Sequence, residues 1–238
     1  MRRLLAVLVL ALAGNAWSQV LLSDSFGGGA IDSSKWDVYL PWALSSVSLQ
    51  NGAMRSVNRG TIVTRQDFGF PYVFTGTFRH SSIYDVTTLY LRSSGQRETT
   101  DFYGGMTGIG ISLWSSFHPT FGGGNIHITR SGISGSFATY TLGLNPNIDY
   151  SFWIRDTGDA LSVRVTGSDI SPIDWYVPIA FSAGSKIALA SRENTIHTTQ
   201  TGILDLLEVQ VAVPEPSSLS LLLAGSAVLM AGRRRIRG

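Results

Sequence analysis

The stretch Asn147–Thr166, NIDYSFWIRDTGDALSVRVT, constrains the fold more than any other part of the chain. Ile148, Tyr150, Phe152 and Ile154 share one parity, while Asp149, Ser151, Trp153 and Arg155 share the other. After Asp156-Thr157-Gly158-Asp159 the alternation resumes, with Leu161, Val163 and Val165 set against Ser162, Arg164 and Thr166. Successive side chains of a strand point to opposite faces, so each half is an amphipathic strand. The Gly-containing turn makes the pair a hairpin with one face inward.

Shorter runs repeat the pattern between Gly, Ser, Asn and Thr. They are Leu21–Phe26, Val47–Gln50 and Ala53–Val57 around Asn51-Gly52, Thr61–Thr64, Tyr72–His80, Thr87–Arg92, Gly108–Trp114, Asn125–Arg130, Phe137–Leu142, Lys186–Ser191 and Ile203–Ala212. Helical periodicity is missing. Roughly a dozen strands with frequent turn signals predict two packed antiparallel sheets. The chain has no cysteine, which excludes disulfides, thiolate zinc sites, a Cys nucleophile and an N-terminal lipidated Cys. A domain over residues 19–212 must therefore hold itself together by burial, and it is large enough to do so.

Both ends of the chain stand apart from this core. Met1–Ser18, MRRLLAVLVLALAGNAWS, carries two arginines, an apolar run and then small residues. These are the features of a secretory signal peptide cleaved by signal peptidase between Ser18 and Gln19. At the other end, residues 213–238 read VPEPSSLSLLLAGSAVLMAGRRRIRG. The apolar run from Leu219 to Gly232 makes a helix of about 21 Å, short of the roughly 30 Å hydrocarbon core. With an exported N-terminus, Arg233, Arg234, Arg235 and Arg237 stay in the cytoplasm, as the positive-inside rule asks of a stop-transfer element. Val213, Pro214, Glu215 and Pro216, the polar spacer, the short transmembrane helix and the arginine cluster resemble the PEP-CTERM sorting signal. That resemblance implies an exosortase-type processing enzyme as partner and a transient inner-membrane intermediate in a Gram-negative bacterium. It also implies delivery to the cell surface or extracellular matrix, in association with extracellular polysaccharide.

The ends also account for the basic balance of the whole chain, formally +2. Two arginines belong to the leader and four to the tail, leaving 12 of the 18 basic side chains. Only Glu215 is lost from the 16 acidic ones, so the core carries −3. That charge gives no support to nucleic-acid binding.

The order of the core elements resembles a known group. Asp24-Ser25-Phe26, a Gly loop, Ile31-Asp32 and Trp36 are similar to the opening of concanavalin A-like (laminin-G-like) domains. The 147–166 hairpin, Gly184-Ser185-Lys186-Ile187-Ala188-Leu189-Ala190-Ser191-Arg192 and a last strand complete the likeness. The resemblance implies an all-β, two-sheet antiparallel jelly-roll β-sandwich.

Some relatives with this fold are glycoside hydrolases that place E-x-D-x-x-E or E-x-D-x-E on one strand, where two carboxylates do the chemistry. The nearest string here, Ile203-Leu204-Asp205-Leu206-Leu207-Glu208, has Ile203 where the nucleophile belongs, and regular alternation separates Asp205 from Glu208. No serine elbow, dinucleotide-binding loop or P-loop is present. His80, His118, His127 and His197 never come as H-x-H or H-x-x-x-H, and they read as surface or loop residues. Glu98 and Asp101 are the remaining acid pair, with a solvated loop balanced by Arg92 and Arg97 as the plainer reading.

Asp24 shares parity with Leu22 and Phe26, and Asp205 with Leu207, Val209 and Val211. A carboxylate on a core face must be paired, hydrogen-bonded or metal-bound. Two readings follow, hydrogen bonds to turn amides or a structural Ca²⁺ held with backbone carbonyls, the terminal strands lying side by side. Exposed indoles suit the apolar faces of sugars, so Trp153, on the polar parity of its strand, is a candidate glycan contact. Trp114, Trp175 and Tyr103, beside Gly-rich or polar loops, are the others. The resulting expectation is a non-catalytic polysaccharide-binding module. A divergent hydrolase or lyase and a purely structural or adhesion module are the alternatives.

Overall fold

The computed structural model describes residues 20–211 apart from 42–44, 51, 58, 84, 99–104, 116–124 and 193–201, with side chains as far as Ala190. The leader, the sorting motif, the arginine cluster, Tyr103, His118, His197 and the side chains of Asp205 and Glu208 lie outside that description. The described residues form the compact unit Gln19–Val211.

Among the described residues fifteen strands follow one another: β1 Val20–Asp24, β2 Trp36–Tyr39, β3 Ser46–Gln50, β4 Ala53–Val57, β5 Thr61–Thr64, β6 Tyr72–His80, β7 Val86–Ser93, β8 Ile109–Trp114, β9 Asn125–Arg130, β10 Ala138–Thr141, β11 Asp149–Asp156, β12 Ala160–Gly167, β13 Ile170–Pro178, β14 Lys186–Arg192 and β15 Gly202–Val211. They build two antiparallel sheets. One is eight-stranded, in the order β13-β12-β11-β6-β15-β4-β3, with β1 on β15 beyond β4. The other is seven-stranded, in the order β10-β9-β8-β7-β14-β5-β2. The last two strands thus enter the middle of the sheets, β15 between β6 and β4 and β14 between β7 and β5. Neither sheet is complete until the end of the domain has been placed.

Alternation explains the core between them. From β6, Tyr72, Phe74 and Phe78 point inward, and from β11 Tyr150, Phe152 and Ile154 do. The Phe74 and Phe152 rings meet edge-on with centroids 5.1 Å apart. Leu89 and Leu91 of β7, Ile109, Ile111 and Leu113 of β8, and Ile126 and Ile128 of β9 supply the other side. The 147–166 hairpin forms as expected, and its register sets Phe152 opposite Val165 and Trp153 opposite Arg164.

Two strands were not foreseen. Pro172 and Pro178 lower the strand signal of Ile170–Pro178, yet β13 pairs with β12 alone, and an edge strand tolerates a missing N–H. The short β2 is likewise an edge, bonded only to β5.

His80 corrects the reading of the histidines as surface residues, because it is wholly buried. The inward parity of β6 simply runs on to its last residue, bringing the ring 5.3 Å from Phe78. Burial pushes its imidazole down to about 3. Regular alternation through Asp205 fails as well. Leu204 pairs with Phe78 and Leu206 with Thr77, so Asp205 is the inserted residue of a bulge, and the parity that set it apart from Glu208 does not hold.

One buried ion pair crosses the sandwich. Arg92, at the end of β7, donates from Nε and Nη2 to the Asp156 carboxylate of β11, at 2.9 and 2.6 Å. Its Nη1 donates to the carbonyls of Ile179 and Phe181 at 2.9 and 2.7 Å. Both side chains are fully shielded from solvent.

Candidate functional site

The seven-stranded sheet has a second face, and small residues shape it. On β8, Gly110, Ser112 and Trp114 alternate with the core residues Ile109, Ile111 and Leu113. On β14, Ala188 and Ala190 alternate with Ile187 and Leu189. Val63, Tyr90, Met106, Ala188 and Ala190 make a separate apolar cluster on this outer side. Tyr90 is its centre. Gly110 lies opposite it on β8, where a side chain would meet both the Tyr90 ring and Thr129 Oγ1. A Cβ at Gly105 would collide with the Tyr90 hydroxyl, so the segment leading to Met106 can close on the ring only as glycine.

Beside this cluster lies a shallow hollow open to solvent. Tyr90, Met106 and Trp114 give it an apolar floor. Glu98, His127, Thr129, Ser131 and Ser136 give it polar walls. Several of these groups are fixed by the fold. His127 Nδ1 lies 2.7 Å from Ser136 Oγ and 3.4 Å from Thr139 Oγ1. Its ring stands edge-on to Trp114 at 5.7 Å. Ser131 Oγ accepts from the Gly108 N–H at 2.7 Å. A flat apolar floor with an oriented polar rim matches a pyranose, which has apolar faces and an equatorial belt of hydroxyls. Among the described lining residues the only carboxylate is Glu98, whereas general-acid and nucleophile chemistry on a glycosidic bond needs two.

The tryptophans do not converge on one site. Trp114 lines the hollow on the outer face, but the residue is only 6% exposed, so it offers a ligand little surface. Trp153 lies on the outer face of the eight-stranded sheet, half-buried, with the Arg164 guanidinium 5.5 Å above its ring. Arg164 is in turn paired with Asp174 at 2.8 Å, so one face of this indole is occupied. Trp175 packs against the core at the sandwich rim, 5.7 Å from Tyr140 of the facing sheet, while its neighbour Tyr176 is 65% exposed. Tyr90 was not singled out from the sequence, and His127 was read there only as a surface or loop histidine. The signal that could have found them is the contrast of small and large parities in Gly108–Trp114 and Lys186–Ser191.

Asp24 has its own hydrogen-bonding account. Its Oδ1 accepts from the Phe26 N–H at 2.8 Å and its Oδ2 from Trp36 Nε1 at 2.7 Å. These bonds tie the first strand to the turn that follows. β1 and β15 do lie side by side, with Asp24 opposite Leu207.

No family model and no curated protein matches this sequence. Solved structures match the fold. The exoplasmic/lumenal domain of VIP36 in its Ca²⁺/Man3GlcNAc-bound form aligns with a TM-score of 0.60 at 15% identity, covering 81% of this chain and 89% of that one. The seed lectin of Lotus tetragonolobus aligns at 0.61 and 11% identity, covering 84% and 100%. A structure described under endo-acting O-glycanases of the human gut microbiota aligns at 0.60 and 13%, covering 82% and 100%. At these identities the likeness is one of fold: the chain is a two-sheet, concanavalin A-like jelly roll.

The VIP36 domain has been solved with Ca²⁺ and metal-free. Asp24 is not suited to a cation here, because both its oxygens already accept from N–H donors and Lys35 Nζ lies 3.9 Å from one of them. Among the described residues no three His, Asp or Glu side chains converge.

Proposed function

We propose that this chain is an exported, non-catalytic polysaccharide-binding module whose ligand lies in the hollow on the outer face of the seven-stranded sheet. The observation that carries this reading is the hollow itself, an aromatic floor under a rim of fixed hydroxyl and imidazole groups. The lone described carboxylate supports binding over hydrolysis, and the lectins among the structural neighbours show that the fold is compatible with such a role. The proposal extends to the ends of the chain. Signal peptidase removes Met1–Ser18, and an exosortase-type enzyme processes the tail that begins at Val213, leaving the domain at the cell surface or in the extracellular matrix.

The test is a titration of the full chain with soluble polysaccharides, read by tryptophan fluorescence and by release of reducing sugar. Binding in the millimolar to micromolar range, about 4–8 kcal/mol, with no sugar released is the expected result. Loss of that binding in Thr129→Val and His127→Ala, with melting curves like the wild type, would place it in the hollow.

A divergent glycoside hydrolase is the second reading, favoured by Glu98 in the hollow and by the O-glycanase neighbour. Release of oligosaccharide that stops in Glu98→Gln would establish it.

A further inference from the structure

β2 ends the seven-stranded sheet in an open edge. The Lys35 carbonyl accepts from the Arg65 N–H at 2.9 Å, which sets the phase of the ladder with β5. Bonded and non-bonded positions alternate along an antiparallel pair. Asp37 and Tyr39 therefore bond to β5, while the N–H and C=O of Val38 point away from it. The side chains at this edge are uncovered too. Val38 shares the inward parity of Trp36 and lies opposite the core residue Ile62, yet it is 47% exposed. Leu40, two residues on, is 51% exposed. The other ends of the two strand orders are closed. β13 carries Pro172 and Pro178, Tyr140 of β10 meets Trp175 of the facing sheet, and Val47 and Leu49 of β3 pack on the core. Proteins blunt a free edge with charge or proline, because an exposed strand edge pairs with another chain. The one charged side chain of β2, Asp37, is neutralised by Arg65 at 2.7 Å.

We infer that the β2 edge is an interface for a second copy of this chain, the two strands pairing antiparallel about a twofold axis at Val38. The edge is complementary to itself at that point. Val38 presents one donor and one acceptor in the same direction, so each copy's Val38 N–H meets the other's Val38 carbonyl. Asp37 falls opposite Tyr39, so no like charges face each other. The two inward Val38 side chains cover one another and carry the core across the axis. The two seven-stranded sheets become one continuous sheet with both hollows on the same face. The two β8 strands then lie roughly 43 Å apart along it, at about 4.8 Å per strand. On the binding reading above, such a dimer grips one polymer at two points, so weak single-site binding gains avidity.

The chain has no cysteine, so Val38→Cys introduces its only thiol. Across the twofold axis that thiol faces its own copy, with Cα atoms about 5.5 Å apart, within disulfide reach. Mild oxidation of the full chain should turn most of Val38→Cys into a covalent dimer. Tyr176→Cys, more exposed but on the β13 edge, should crosslink at least about tenfold more slowly. Sedimentation of wild type should show a dimer that dissociates on dilution, as a small interface does. Val38→Lys, at an exposed position, should be monomeric at the same concentrations with Tm unchanged. Equal crosslinking of the two cysteine variants, or none in either, would overturn the inference. So would a dimer that persists in Val38→Lys, or a wild type that stays monomeric and leaves the edge to a different chain. None of these outcomes touches the binding reading, which the polysaccharide titration tests separately.

Discussion

The imidazole of His80 sits at the inward end of β6, with Nε2 3.3 Å from Thr87 Oγ1 and no partner for its buried Nδ1 among the described residues. Because burial holds it down to about 3, while an unfolded histidine titrates near 6.5, the proton is taken up mainly on unfolding. Its contribution to stability is complete above about pH 6.5 and is lost as pH falls toward the folded value, amounting to about 2 kcal/mol by pH 5. His80→Gln should therefore lose less stability than wild type between pH 7 and pH 5 in urea melts, and identical losses would contradict the assignment. Asp85, raised by burial, titrates in both proteins and cancels from that comparison. A second contrast concerns neighbours on β11. Phe152 is 2% exposed, so Phe152→Ala should cost about 3–5 kcal/mol. Trp153→Ala should cost much less, because its indole lies outside the core under Arg164. Parity announced both positions in the sequence. It also ran on through His80, where polarity argued for the surface and the inward phase of the strand prevailed.

At the scale of elements, the ion pair between β7 and β11 ties the two sheets together. Removing the acid would leave a buried guanidinium facing the carbonyls of Ile179 and Phe181 without a countercharge among the described residues. Asp156→Ala should thus cost about 3–5 kcal/mol in equilibrium unfolding. The double variant Arg92→Met/Asp156→Leu should be markedly more stable than Asp156→Ala, since it leaves no lone charge behind. Additive losses in the double variant would mean that the pair stabilises through something other than mutual compensation. Strand identity was largely legible, because alternation survives wherever one face is buried. The exceptions have local causes. Prolines masked β13, shortness masked β2, and the bulge at Asp205 broke a parity count that no single sequence could correct. The hollow was less legible, since it arises from β7, β8 and β9 lying side by side. Only the Gly110, Ser112 and Ala188 positions, small where a strand usually carries bulk, hinted that something packs closely there.

At the scale of the molecule, the central strands β14 and β15 come last in the chain, so sheet pairing is dominated by contacts distant in sequence. Such topologies fold slowly, which fits a domain that completes itself only once its C-terminal strand is free. The tail should be short-lived by the same logic of export. We expect the mature extracellular form to lack Leu219–Gly238, and intact-mass spectrometry showing the whole C-terminus would contradict this.

The claim that joins these scales is that the outer face of the seven-stranded sheet holds the glycan. Hydrogen exchange of the full chain, saturated with whichever soluble polysaccharide it binds most tightly, addresses it directly. Slowed exchange should appear in residues 105–114 and 127–137, with residues 151–166 and 170–178 unchanged. Protection centred on Trp153 and Tyr176 instead would move the ligand to the eight-stranded sheet and contradict the account.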